Sequence, residues 1–229
     1  MKRSFINATI AEAIEFFKSK QFQLPPYAFF SPEEWRRCQL DTSEIVDLQL
    51  GWDVTSFGSG EFEKTGLLLF TLRNGKVGAE KYPKPYAEKI MVVRENQITP
   101  LHFHWYKHED IINRGGGEMV IELYHADTKN NKLTGQDFSI SVNGMKKIMK
   151  SGEKLILTPG ESVCLEPHHA HRFWGKNNRG TVLVGEVSMV NDDSSDNCFI
   201  EQQVRFETIE EDEEPRFLLA NEYKKFLSE

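Results

Sequence analysis

The most informative residues for chemistry are the histidines, and all seven lie between positions 102 and 171. His102 and His104 stand two apart in a β-rich run, and alternate residues of a strand project from one face. Glu109 follows five residues later and can return a carboxylate to the same point, while a second strand has to supply a fourth ligand. Three imidazoles and one carboxylate suit Mn²⁺, Fe²⁺, Co²⁺, Ni²⁺ or Zn²⁺. The sequence therefore predicts one divalent metal ion per chain, with the ligands His102, His104, Glu109 and His171.

The fourth ligand has a competitor. His171 lies four residues after Pro167, but His169 can share a face of the same strand with it. An isolated His-x-His pair is often only two partly exposed strand residues. A metal site is favoured here because Glu109 and a histidine after Pro167 supply further ligands. The other histidines, at positions 108, 125 and 168, are assigned to loops or to positions around the site.

Short strands must position these groups. From about residue 44 the chain alternates β-rich runs with turn signals such as Asn74-Gly75, Asn143-Gly144 and Pro159-Gly160. Many short strands with close turns, and no long helix between them, predict an all-β fold, a closed barrel or jelly roll. The predicted strands are 66–73, 89–94, 101–106, 119–125, 138–142, 154–157, 163–166, 171–174, 181–190 and 202–206.

Helices are predicted at the two ends of the chain. A capping box at 9–12 starts the first, and a stronger one at 31–34, with proline at its first helical position, starts a short second helix. A closing helix is expected over 218–227. The acidic run at 207–214 is expected to be a solvated loop.

The length of 229 residues suits one all-β domain, 1–229. Within it, we expect a helical extension (1–43) packed on the barrel, the barrel itself (about 44–206), and a carboxy-terminal tail with its helix (207–229).

Composition excludes several classes of function. The net charge of −7 and the absence of a basic stripe argue against nucleic-acid binding. No apolar run approaches the length of a membrane span, which is about 18 residues. Three sparse cysteines without a Cys-x-x-Cys motif are typical of free thiols, and with no secretory signal visible they indicate the cytoplasm.

The motifs also carry a family resemblance. The candidate ligands with Gly115, Pro159-Gly160 and Pro167 resemble the two conserved motifs of the cupin superfamily. Longer stretches are similar to the D-lyxose isomerase family of cupins, over roughly residues 5–225. These stretches are 51–53, 57–60, 66–75, 86–89, 109–117, 165–167 and 185–193.

The resemblance implies a cupin barrel with added amino-terminal helices and an aldose–ketose isomerase. The expected reactions interconvert D-lyxose with D-xylulose, and D-mannose with D-fructose, through a cis-enediol. A sugar is then the small-molecule partner and the assembly a homodimer. Mn²⁺ is expected as the preferred metal, because it suits mixed imidazole, carboxylate and water ligands and its weakly held oxygen ligands can exchange at each turnover. A metal can act as Lewis acid and template, but a side chain must still move the proton between carbons 2 and 1.

Glu186 is the first candidate for the proton-transfer base. It lies on one strand face with Val182, Val184 and Ser188, where burial would raise the pKa of its carboxyl toward neutral pH. The structural alternative is a carboxylate paired with an arginine or with the backbone.

Two lysines are further catalytic candidates. Lys89 follows the spacing of Met91 and Val93 and could polarise a sugar oxygen, or form a salt bridge at the rim. Lys107, between His104 and Glu109, could lie over the mouth of the site or in solvent.

Three other functions fit the motifs. The same ligands serve iron-dependent cupin dioxygenases, and a metal-stabilised sugar-binding module without turnover is also compatible, because fold does not decide chemistry. Isomerisation of a sugar phosphate is less favoured, since no compact Lys/Arg cluster is visible.

Two polar or glycine-rich segments receive structural interpretations. The segment 192–197 could bind a cation or sugar hydroxyls, but a solvated turn with local side-chain bonds is favoured. The glycines at 115–117 are expected to form a tight bend close to the metal.

Overall fold

The computed structural model describes residues 1–127, 129–192, 195–201, 203–204 and 207–228. Within them, strands dominate and helices lie near the two ends of the chain. The strands are β1 (Gly51–Thr55), β2 (Leu67–Arg73), β3 (Tyr86–Val93), β4 (His102–His104), β5 (Glu109–Gly116), β6 (Met119–Asp127), β7 (Lys132–Thr134), β8 (Phe138–Val142), β9 (Met145–Met149), β10 (Glu153–Leu157), β11 (Ser162–Leu165), β12 (His169–Gly175), β13 (Val182–Met189) and β14 (Asn197–Phe199). The helices are α1 (Arg3–Ser19), a 3₁₀ turn (Pro26–Phe29), α2 (Pro32–Arg37), α3 (Ser43–Asp47) and α4 (Tyr223–Ser228).

Two antiparallel sheets face each other. The larger has the order β1-β2-β3-β13-β5-β11-β8-β9, and the smaller has the order β10-β6-β12-β4-β14, with β7 beside β6. Strand β13 enters the larger sheet between β3 and β5, which come much earlier in the chain. The inward side chains of both sheets meet in one apolar core, which includes Met91, Ile121, Leu157, Phe173 and Val184. The predicted all-β barrel is therefore confirmed.

The outer face of the larger sheet is partly covered by α1. Ile6, Ile10 and Phe17 of this helix belong to one buried cluster with Trp52 of β1 and Phe70 of β2. These apolar positions recur at helical spacing and so form one face of the helix. None of the helices in the described ranges is long and apolar enough to cross a membrane.

The helix α1 begins at Arg3, so the predicted start at the 9–12 capping box is wrong. Thr9 lies inside the helix and is buried. The second capping box is confirmed: the backbone N–H of Ser31 donates to Glu34 Oε2 at 2.7 Å, and the N–H of Glu34 donates to Ser31 Oγ at 3.3 Å.

The acidic run at 207–214 is an exposed loop without helix or strand, as predicted, but several of its carboxylates also bond to α1. It packs against the first turn of α1, where Glu211 accepts hydrogen bonds from the Arg3 guanidinium at 2.7 and 2.8 Å. Asp212 accepts one from the backbone N–H of Ser4 at 2.9 Å. The sequence did not predict these contacts, which arise because the first backbone N–H groups of a helix lack partners and carry positive partial charge that a carboxylate satisfies.

Several element boundaries also differ from the predictions. The closing helix is shorter than expected and starts at Tyr223. Strands β1, β5, β7, β9 and β14 were missed, since they are short, polar on one face or close to glycines. The predicted strand 202–206 falls largely outside the described residues, because positions 202, 205 and 206 are not among them.

All three cysteines are free, as predicted.

The Arg3 contacts generate a stability prediction. Arg3 is 1% exposed and also pairs with Glu222. Arg3→Met should lower the free energy of unfolding by about 2 kcal/mol, because buried hydrogen bonds to charged groups contribute roughly 1.5–3 kcal/mol. Urea unfolding followed by circular dichroism measures the change. Lys18→Met, which removes an exposed pair with Glu15, is the matched control and should change stability by less than about 0.5 kcal/mol. Equal effects of the two substitutions would contradict the role of Arg3.

Candidate active site

Neighbouring strands of the smaller sheet bring three histidines together. His102 of β4 pairs directly with His171 of β12, and their ring centroids are 4.3 Å apart. His104 follows two residues along β4, with its ring centroid 5.2 Å from that of His102. Glu109, the first residue of β5, reaches the histidines from the larger sheet. The site therefore lies between the two sheets and takes ligands from both.

The donor atoms of this group fit a metal ion. One atom from each of the four residues lies within 4.8 Å of all the others. Nε2 of His104 and Nε2 of His171 are each 3.2 Å from Glu109 Oε1. Metal bonds to nitrogen and oxygen are about 2.0–2.2 Å long, which brings ligand atoms about this close to one another.

Unsatisfied polar atoms support the same fit. Both ring nitrogens of His104 and Oε1 of Glu109 are buried without a hydrogen-bond partner. Such atoms are rare in folded proteins because each loses its bonds to water. Since Nε2 of His104 and Oε1 of Glu109 converge without bonding each other, a cation between them would satisfy both.

Backbone carbonyls orient two of the three rings. His102 Nδ1 lies 2.9 Å from the carbonyl oxygen of Pro100, and His171 Nδ1 lies 3.2 Å from that of His169. An N–H at Nδ1 leaves the lone pair of Nε2 available for a metal. Burial lowers the pKa of both imidazoles, which favours this neutral form.

His169 is not part of the group. Its Nδ1 accepts a hydrogen bond from the backbone N–H of Glu166 at 3.0 Å, and its ring packs 5.1 Å from that of Phe138. Burial lowers the pKa of His169 to about 4. The geometry thus favours His171 over His169 as the fourth ligand. His125 is also engaged elsewhere, with Nδ1 2.8 Å from Thr134 Oγ1.

The three catalytic candidates form one buried network beside the histidines. Lys107 Nζ lies 2.9 Å from Glu186 Oε1 and 2.8 Å from Glu109 Oε2. Lys89 Nζ lies 3.2 Å from the same oxygen of Glu186, since the two residues are directly opposite on β3 and β13. All four side chains are less than a tenth exposed. Lys89 is therefore not a rim residue, and Lys107 does not lie in solvent.

The charge state of Glu186 differs from the expectation. Burial alone would raise the pKa of its carboxyl, but the ammonium groups of Lys107 and Lys89 reverse this and lower it. The predicted rise is therefore wrong, and the partners are lysines rather than an arginine. Glu109 is affected in the same way: burial opposes ionisation, but Lys107 and His104 hold its pKa well below the usual value. In return, the two carboxylates raise the pKa of Lys107, although burial acts against this.

All seven candidate residues line one cavity of about 60 Å³ between the sheets. Phe173 lines this cavity, whereas Phe103 and the adjoining Trp105 belong to a separate buried cluster. Phe57 and Phe199 also line the cavity and were not among the predicted site residues. Phe57 lay in the family-like stretch 57–60, which was the available signal for it, whereas nothing in the sequence distinguishes Phe199 from a core aromatic.

A larger cleft of about 660 Å³ adjoins this cavity and shares Leu69 and Lys89 with it. Asn191, also in the cleft wall, accepts a hydrogen bond from Lys89 Nζ at 2.6 Å and lies 3.4 Å from Lys107 Nζ. The two lysines and this amide therefore separate the cleft from the metal-donor group. Asn191 lay in a family-like segment, which was the available signal for it.

The segment 192–197 is only partly a solvated turn. Ser195 donates to Asp192 at 2.7 Å, a local bond of the expected kind. Asp196, however, is buried and accepts from the backbone N–H of Tyr106 at 2.7 Å. Residues 193 and 194 lie outside the described part of the chain.

Of the glycines at 115–117, Gly116 and Gly117 approach other backbone rather than the metal-donor group, and Gly115 faces open space. Gly116 has φ +88°, and a Cβ there would lie 2.3 Å from the carbonyl oxygen of Thr181. Opposite them, the pairing of β13 with β5 shifts register between Leu183 and Val184. The expected bend near the metal is therefore a bulge at the far end of β5.

Comparisons with known proteins point to one family. Residues 1–223 match the family model described as D-lyxose isomerase. A protein of Serratia proteamaculans named D-lyxose/D-mannose isomerase is 49% identical over 231 residues, covering 100% of both chains. A protein of the same name from Escherichia coli O157:H7 is 49% identical over 229 residues, covering 99% of this chain and 100% of the relative.

Solved structures agree on the fold. L-ribose isomerase of Cellulomonas parahominis, solved with L-psicose, has a TM-score of 0.60 at 13% identity and covers 92% of this chain and 98% of its own. L-ribose isomerase of Acinetobacter sp. DL28, in complex with L-ribose, has a TM-score of 0.60 at 14% identity with the same coverage. At such low identity the likeness concerns the barrel and its added helices.

The geometry of the four donors generates a metal-binding prediction. His171→Ala should lose bound divalent metal, because one of four converging donors is removed and the others remain partly unsatisfied. His169→Ala is the matched control on the same strand and should retain the metal. Elemental analysis after desalting, with thermal unfolding as a check on folding, measures both. Full occupancy in His171→Ala with loss in His169→Ala would reverse the assignment.

Proposed function

The chain belongs to the D-lyxose isomerase family, and we propose that it is a metal-dependent aldose–ketose isomerase with D-lyxose and D-mannose as substrates. The products are D-xylulose and D-fructose, formed through a cis-enediol. One observation carries the proposal: a group of four metal donors shares a cavity with a buried glutamate held between two lysines. Proton transfer next to a metal site is the chemistry that this isomerisation needs.

The proposed metal ligands are His102, His104, Glu109 and His171, with one ion per chain. When bound, the ion supplies Lewis-acid stabilisation of two adjacent sugar oxygens. We propose Mn²⁺ as the preferred ion, since mixed imidazole, carboxylate and water ligands suit it and its weakly held oxygen ligands can exchange at each turnover. Zn²⁺, Co²⁺, Fe²⁺ and Ni²⁺ can bind the same donors.

Glu186 is the proposed base that takes the proton from carbon 2 and returns it to carbon 1. Its lowered pKa keeps it ionised at neutral pH, as a base must be before it acts. The two lysines that lower this pKa can turn toward sugar oxygens when substrate enters. Lys89 and Lys107 would then stabilise negative charge on the enediol, and Glu186 would become more basic as they leave it.

The cavity walls favour an unphosphorylated sugar. Among the described residues that line the cavity and the adjoining cleft, the cations are Lys76, Lys89 and Lys107, and no arginine is present. Lys89 and Lys107 already neutralise carboxylates. A phosphate dianion needs a cationic cluster to offset its charge, and this surface does not offer one. The uncharged hydroxyls of a pentose or hexose fit better.

A ketose-formation assay with metal-free and metal-loaded protein distinguishes the proposed isomerase from a dioxygenase and from a non-catalytic sugar-binding module. Chelator-stripped protein should be inactive on D-lyxose and D-mannose, and Mn²⁺ should restore ketose formation more than the other ions do. Consumption of O₂ with turnover would support an iron-dependent dioxygenase instead. Sugar binding without ketose under every metal tested would support a non-catalytic sugar-binding module.

Glu186→Gln tests the base. Turnover should fall by roughly 10²-fold or more while metal content is retained, because general-base catalysis contributes about this factor. Glu118→Gln, which alters an ion pair with Lys176 at the surface, is the control and should keep full turnover. Solvent deuterium should also enter carbon 1 of the ketose. Unchanged rates in both Glu186→Gln and Lys89→Met would move the base to Glu109 or Lys107.

We further propose a homodimer in the cytoplasm. Tyr86 and Met189 are paired across β3 and β13, and both are about half exposed on the outer face of the larger sheet, beyond the part of that face that α1 covers. Val187 adds a third exposed apolar side chain on the same strand. Exposed apolar groups in one place are typical of a subunit interface. Light scattering at micromolar concentration should give twice the chain mass, and a monomeric mass would contradict this.

A further inference from the structure

His104 differs from the other two histidines in what faces its second ring nitrogen. His102 and His171 each place Nδ1 against a backbone carbonyl oxygen. His104 Nδ1 is buried and has no hydrogen-bond partner. The group that faces it is the carboxylate of Asp196, with Oδ2 at 3.5 Å.

Asp196 is held where it can serve this nitrogen. It is 7% exposed, and its carboxylate accepts from the backbone N–H groups of Tyr106 at 2.7 Å and Lys107 at 3.2 Å. Its own carbonyl oxygen accepts from the N–H of Trp105 at 3.1 Å. One side chain thus holds the turn that joins β4 to β5 and faces the ring of His104.

We propose that Asp196 is a positioning residue that orients His104 toward the metal and fixes the turn that carries Lys107. A carboxylate facing Nδ1 favours the proton there and leaves Nε2 free as a ligand, as the carbonyls do for His102 and His171. Being charged, it also makes the imidazole a stronger donor. The inference rests on the metal site of the proposed function.

A purely structural role is the competing explanation, because the two backbone N–H groups alone could account for a buried carboxylate. Asp196→Asn separates the two. The amide oxygen can still accept the 2.7 Å bond from Tyr106. The amide nitrogen that replaces Oδ2 cannot accept from Lys107, and it places a donor instead of a negative charge against His104 Nδ1. A purely structural role would lose that one bond and leave metal affinity unchanged, whereas a role in the metal site would lower the affinity.

The test measures metal affinity rather than turnover. Asp196→Asn should weaken Co²⁺ or Mn²⁺ binding by about 10- to 100-fold in competition with a chelator, the usual effect of removing such a partner. The metal-free variant should remain folded, with a thermal midpoint lowered by no more than the loss of the single bond from Lys107 accounts for. Asp192→Asn, an exposed carboxylate four residues earlier, is the control and should keep wild-type affinity.

A second measurement needs no variant. Long-range ¹H–¹⁵N spectra of the Zn²⁺-loaded wild-type protein should show His104 protonated at Nδ1, as for His102 and His171. The loaded protein is used because the Glu109 carboxylate, 3.2 Å from Nε2, competes for the proton when no metal is bound. A proton on Nε2 would overturn the inference, and so would wild-type affinity in Asp196→Asn. Failure of the wild-type protein to bind any divalent metal would overturn the metal site itself, whereas the other results leave that site intact.

Discussion

The site depends on burying charges of both signs in the narrow space between two sheets. Glu109, Glu186, Lys89 and Lys107 are each less than a tenth exposed. A buried charge without a partner costs several kcal/mol, so none of the four can be placed independently of the others. Each lysine contacts Glu186, and Lys107 also contacts Glu109, which in turn faces two histidines. The arrangement is thus a single electrostatic unit with a place for one further cation.

Strand register satisfies this constraint. Because β13 inserts between β3 and β5, Lys89 lies directly opposite Glu186, and Ser188 of the same strand lies opposite Glu109. In the other sheet, β12 places His171 opposite His102. Cross-strand neighbours have side chains about 5 Å apart, close enough for ion pairs and shared ligands. If β13 or β12 slipped by one residue, the site residues on that strand would turn outward.

The helix α1 supports the same strands from behind. Ile90 and Leu183, which point outward from β3 and β13, belong to the cluster that α1 covers. Their neighbours along the strands point inward and include Lys89. Strands buried on both faces have little freedom to twist or slide, which suits a site that needs fixed distances. The acidic tail, by pairing with Arg3 and Ser4, fastens α1 at its first turn.

The sequence by itself determined the features that depend only on residues close together in the chain, such as the shared face of a strand or the start of a helix. The two-residue spacing of His102 and His104 identified a shared face, and the 31–34 capping box identified a helix start, because each depends on neighbours a few residues away. The all-β fold followed from the same kind of local pattern. The motifs also placed Glu109 and His171 among the candidate ligands, and the structure brings all four together.

Only the tertiary structure decided which charges neutralise one another. The pKa of Glu186 is lowered rather than raised because lysines from β3 and from the β4–β5 turn converge on it, and the sequence separations are 97 and 79 residues. The roles of Asp196 and of the acidic tail likewise arise from contacts between distant segments. A side chain's charge state depends on everything that surrounds it in space, and sequence spacing describes only the neighbours on its own strand or helix.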